Sequence, residues 1–132
     1  MRLIAISAIA AIATATAFSG QPVLAADADP GTCANETANL NLANKDTPFT
    51  IDAVTTADPG TIDCALKVID LKREVNVPMT ALDVGWEAGL QPAVDEEVCD
   101  SPWRDAVKAG WKVTSTWTFA DGGSHIFTAA CQ

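Results

Sequence analysis

The chain has 132 residues, with 8 Lys or Arg against 17 Asp or Glu, and a formal net charge of −9. Such a surface repels nucleic acid and anionic membranes, and excludes both as partners. Past the first 26 residues no apolar stretch approaches the length of a membrane span.

Residues 1–26 read as a secretory signal peptide. Arg2 supplies the positive charge, Leu3 to Ala13 the apolar run, and Val23-Leu24-Ala25-Ala26 the small residues a signal peptidase needs. Removing the leader with Arg2 leaves seven basic and seventeen acidic residues, a net charge of −10, on about 106 residues. That is the size of one domain. Four cysteines follow: Cys33, Cys64, Cys99 and Cys131. An even number in an exported chain points to two disulfides. No pair has the C-x-x-C spacing of zinc or dithiol redox sites.

Residues 27–48 are polar and rich in Asn, Ala and Asp. They read as an irregular N-terminal arm pinned by Cys33, with room for an edge strand around Asn39–Leu42. The globular domain then spans 49–132. Phe49, Ile51 and Ala53 alternate with polar residues, the period of a half-buried strand. Ala57-Asp58-Pro59-Gly60 has turn chemistry, and Ile62, Cys64, Leu66 and Val68 alternate again. These two strands are expected to form a hairpin. The string Ala-Asp-Pro-Gly-Thr also stands at 28–32, where it reads as the same turn used twice.

Val75 to Val84 reads as a third strand, with Pro78 placing it at an edge. Trp86 follows between Gly85 and Gly89 and reads as an exposed loop residue. Pro92 suits the first position of a helix, with Asp95, Glu96 and Glu97 near its N-terminus. Ser101 and Pro102 restart the helix, Trp103, Ala106 and Val107 form its apolar stripe, and Gly110 ends it.

The last element is a hairpin. Trp111, Val113, Ser115, Trp117 and Phe119 alternate with Lys and Thr, Asp121-Gly122-Gly123 turns, and Ser124 to Cys131 returns. A three-residue loop at 121–123 sets Trp117 opposite Phe127 and Val113 opposite Cys131, which matches large apolar partners. Neighbour pairing of the cysteines (33–64, 99–131) and nested pairing (33–131, 64–99) both close workable loops. In this register Cys131 lies near the start of strand 111–119 and Cys99 at its far end, so the nested pairing is favoured.

The expected fold is therefore α+β: an antiparallel sheet of two hairpins and an edge strand, with one or two short helices on one face and two disulfides. The opening hairpin with a cysteine on its second strand, then a cysteine beside a helix, resembles part of the C-terminal domain of TonB-type proteins. No specific motif supports the likeness, and no family is assigned on it.

Catalytic constellations are missing. His125 is the only histidine, and neighbouring Ser124 must point to the opposite face of its strand. The acidic residues Asp95, Glu96, Glu97 and Asp100, with Asp83 and Glu87 nearby, lack the D-x-D-x-D-G spacing of a calcium loop. They read as a solvated helix end. No cofactor is expected. The reading is an exported, periplasmic or extracellular domain that acts without catalysis, binding a protein or a small ligand. The alternative is a small secreted hydrolase using carboxylates. Trp86 is the residue chosen for recognition, because it alone among the tryptophans has no place on an inferred core stripe.

Overall fold

A computed structural model describes residues 29–132. The expected signal peptide lies outside the described residues.

Helix α1, Cys33–Asn44, comes first. Thr32 caps it, its Oγ1 accepting from the Asn35 N–H at 3.2 Å. The segment read as an irregular arm is thus helical, and no strand forms at 39–42. Its sequence lacks an apolar stripe because the buried face is largely polar. Leu40 is buried beside Glu36, whose carboxylate accepts from the Gly31 N–H at 2.7 Å and from the side-chain amides of Asn35 and Asn39.

Strands β1 (Phe49–Thr50) and β2 (Thr55–Asp63) pair antiparallel, and β2 pairs antiparallel with β3 (Val68–Val75). The turn expected at 57–60 falls inside β2, where the register with β3 shifts between Asp58 and Thr61. A bulge of this kind tolerates a proline that cannot donate. Asn44 fastens it: its amide donates to the Gly60 carbonyl at 3.0 Å and its Oδ1 accepts from the Gly60 N–H at 2.8 Å. A Cβ at Gly60 would come within 2.8 Å of the Asp70 carbonyl, so the bulge needs glycine. The chain reverses instead at Cys64–Lys67, where Lys67 has φ 54°.

Strands β4 (Lys112–Phe119) and β5 (Ser124–Thr128) complete a five-stranded sheet in the order β1-β2-β3-β4-β5. β3 and β4 run parallel. The sheet is therefore mixed, not wholly antiparallel as expected. Parallel neighbours need a long crossover, and residues 76–111 provide it. They carry a 3-10 turn at Met79–Ala81, helix α2 (Trp86–Cys99) and helix α3 (Trp103–Lys108). No edge strand forms across 75–84: Val75 ends β3 and Pro78 precedes the 3-10 turn. Pro92 lies within α2 rather than at its start. Ser101 and Gly110 behave as read: Ser101 Oγ accepts from the Trp103 N–H at 3.2 Å, and Gly110 (φ 93°) follows the end of α3.

The helices pack on one face of the sheet. One apolar cluster joins Leu40, Ile69, Leu71, Val98, Trp103, Trp111 and Val113. Another joins Val75, Leu90, Val94, Trp117, Phe119 and Phe127. The final hairpin turns through Ala120–Gly122, with the Phe119 N–H donating to the Gly123 carbonyl at 2.8 Å. Trp117 faces His125 and Ser115 faces Phe127, two residues away from the expected register. A shift by two keeps every side chain on its expected face, so Phe127 is buried as read.

The disulfides are Cys33–Cys64 and Cys99–Cys131, each with Cα atoms 5.5 Å apart. This is the neighbour pairing and corrects the nested one. The sequence reading starts the helix too late and so misplaces its end. α2 runs alongside β5: Trp86 lies against His125, Gln91 donates to the Thr128 carbonyl, and Asp95 accepts from the Ala130 N–H. Cys99 is thereby delivered to Cys131.

Candidate functional site

Gly85, with φ 84°, occupies a left-handed conformation that favours glycine and turns the chain into α2. The first helical residue is Trp86. Its ring stands edge-on to Phe119, His125 and Phe127, at centroid distances of 5.3, 5.4 and 5.8 Å. Edge-to-face packing of this kind is attractive between aromatic quadrupoles. His125 meets Phe127 in turn at 4.5 Å. Trp86 is thus half-buried on the rim of the second apolar cluster. It is neither a loop residue free in solvent nor a fully enclosed one. Just before it, Val84 is fully exposed.

The neighbouring turn is held by one carboxylate. Asp121 Oδ1 accepts from the Gly123 N–H at 3.0 Å and Oδ2 from the Thr80 N–H at 3.4 Å, tying the β4–β5 loop to the 3-10 turn. Backbone N–H groups, that of Gly123 foremost, favour the ionised form and hold this carboxyl below its ordinary value. Met79 packs against Gly123 so closely that a Cβ there would lie 2.9 Å from its methyl. No lysine or arginine occurs in 74–103 or 113–132. The segments that build this end of the molecule bring Asp83, Glu87 and Asp121 and no permanent positive charge.

The other residues considered for chemistry do not assemble. Ser124 and His125 lie on opposite faces of β5, Ser124 exposed and His125 half-buried. The acidic residues at 95–100 separate. Asp95 accepts from the Gln91 amide and the Ala130 N–H, while Glu97 is buried against Arg73. Among the described residues no three His, Cys, Asp or Glu side chains are grouped to hold a metal ion, and all four cysteines are bridged.

One pair escapes sequence reasoning. Arg73 of β3 and Glu97 of α2 form an ion pair inside the protein. Arg73 Nε and Thr55 Oγ1 are also buried, without hydrogen-bond partners among the described residues. The signal is present in the alternation Ile69, Leu71, Arg73, Val75, where an arginine takes an inward position of a period-two pattern.

The fold is similar to that of a protein from Pseudomonas aeruginosa, classed as secreted and solved as a crystal structure. The TM-score is 0.57 at 13% identity, and the match covers 86% of this chain and 93% of that one. No family model and no curated protein matches this chain. At that identity the likeness concerns the fold.

Proposed function

We propose that this is an exported, disulfide-stapled binding protein, acting without catalysis, whose contact surface is built on Trp86. Two bridges in a small acidic domain support maturation in an oxidising compartment, periplasmic or extracellular. The likeness to the Pseudomonas aeruginosa protein classed as secreted agrees with export.

The half-buried setting of Trp86 is the observation that carries the binding reading. Its inner edges are fixed by three rings, and the remainder is presented beside the exposed Val84. A large aromatic side chain held rigid by its neighbours loses little entropy when a partner covers it, which is why such residues dominate recognition surfaces. Loops on a stapled scaffold are the usual carriers of such contacts.

The test is capture of a partner from envelope extract or culture fluid by the immobilised mature protein. Trp86→Ala and Val84→Asp should each reduce the captured band while keeping the wild-type circular dichroism. Capture unchanged by both variants would refute this surface.

A further inference from the structure

We propose that the partner is a cationic polypeptide segment that adds as an extended strand to the outer edge of β5 at Ser124–Ile126. The inference rests on the binding reading above and gives the partner its chemistry.

In an antiparallel ladder, hydrogen-bonded and non-bonded positions alternate. The Phe119–Gly123 and Val113–Ala129 bonds set the phase: Gly123, His125, Phe127 and Ala129 bond to β4. Ser124, Ile126 and Thr128 consequently turn their N–H and C=O groups away from the sheet. Natural edges are guarded by charge, proline or a covering element. The distal half of this edge is guarded, because the Gln91 amide donates to the Thr128 carbonyl at 3.0 Å and Asp95 accepts from the Ala130 N–H at 2.9 Å. The proximal half is different. Ser124–Thr128 contains no lysine, arginine, aspartate, glutamate or proline, and Ile126 is 60% exposed. Trp86 lies beside this half, against His125 on the inner side of the strand.

Strand addition draws its affinity from main-chain hydrogen bonds and its selectivity from alternate side chains. An added strand would place one side-chain row over Ile126 and the other toward Trp86. The charge of the surroundings selects the occupant. Asp83, Glu87 and Asp121 stand in segments without a lysine or arginine, on a chain of net charge −9. An anionic segment is repelled, and a segment alternating basic with β-branched residues is complementary.

The probe is a labelled synthetic peptide of about ten residues, alternating lysine with threonine, with binding to the mature protein read by fluorescence anisotropy. Three controls accompany it: glutamate in place of lysine, successive central amides N-methylated to block both strand edges, and the Ile126→Pro protein. Proline at 126 deletes an outward N–H without breaking a bond to β4. The lysine peptide should bind, the glutamate peptide should not, and methylation or Ile126→Pro should weaken binding about tenfold, the worth of one or two hydrogen bonds. Binding indifferent to methylation overturns the strand-addition proposal even if Ile126→Pro proves unfolded. Equal binding of both charges, or none of the lysine peptide near millimolar protein, overturns it too. Loss on Trp86→Ala with no effect of methylation would sink the edge and keep the Trp86 surface; the converse would sink the Trp86 surface alone.

Discussion

The guanidinium of Arg73, on the central strand, meets the carboxylate of Glu97, on α2, with each side chain about 8% exposed. The pair lies between sheet and helix, so removing one partner strands the other charge away from water. Glu97→Ala should cost about 3–5 kcal/mol, whereas replacing both residues with Leu or Met should be near neutral or stabilising. Chemical denaturation of the single and double variants checks both statements.

The same pair gives a pH signature. Burial pushes the Glu97 carboxyl above its ordinary value of 4.5, against the pull of Arg73. The folded protein then binds the proton at a higher pH than the unfolded chain does. The resulting stability is fully present below 4.5 and lost as pH rises through the folded value. Glu97→Gln removes this dependence. Wild type should therefore gain on Glu97→Gln as pH falls toward 4.5, in paired urea melts. A gap that closed instead would show that attraction to Arg73 outweighs desolvation.

Asp121 should behave in the opposite sense. Its carboxyl is held below the ordinary 3.8 by backbone N–H groups, so its contribution is present above 3.8 and lost as pH falls through the lowered folded value. Asp121→Ala should destabilise the turn at neutral pH, and the difference from wild type should shrink in strong acid. Melting temperatures across that range read the effect.

Gly122 has φ 82°, a conformation that costs any side chain. Gly122→Val should destabilise by more than about 1 kcal/mol. Trp117 is 2% exposed and donates its indole N–H to Ser115 Oγ at 2.8 Å. Trp117→Ala should cost about 3–5 kcal/mol, and Ser115→Ala about 1–3 kcal/mol by orphaning that donor. An unmoved denaturation midpoint for Trp117→Ala would contradict its enclosure.

The bridges close nearly equal loops, with sequence separations of 31 and 32. Each should contribute about 3–4 kcal/mol on loop entropy alone. Replacing Cys33 and Cys64 by serine should cost about as much as replacing Cys99 and Cys131. Peptide mapping should recover both neighbour pairs and no free thiol.

Legibility in the sequence followed where the stabilising forces are local. The last hairpin was readable because Trp111 to Phe119 alternate strictly and a glycine-rich turn follows; its parity survived a register error of two. The α1 helix was hidden because its inward face presents Glu36 with amide donors, which no apolar periodicity reports. Pro59 and Gly60 carry turn chemistry, yet Asn44, sixteen residues before Gly60, holds them in a strand. The parallel seam was missed with β3: once residues 68–75 are a strand, the helices that follow form a crossover, and parallel pairing is the natural result. Trp86 reads in the sequence as an exposed loop residue, whereas it opens α2 and stands half-buried against Phe119, His125 and Phe127. Its ring contacts depend on α2 starting at Trp86, six residues before the position Pro92 suggests, which no local signal discloses.

The two bridges also divide the molecule. Cys33–Cys64 closes a ring entirely ahead of the crossover, and Cys99–Cys131 closes one entirely behind residue 98. Neither spans the β3–β4 seam, which rests on ladder hydrogen bonds and packing. A protease that cut once between Asn76 and Gly85, where Val84 is exposed, would leave two covalently separate pieces, each with its own closed ring. Under native conditions they would stay together as a nicked whole. In denaturant they would part without any reducing agent, so this domain is covalently two cassettes joined by a single strand of chain.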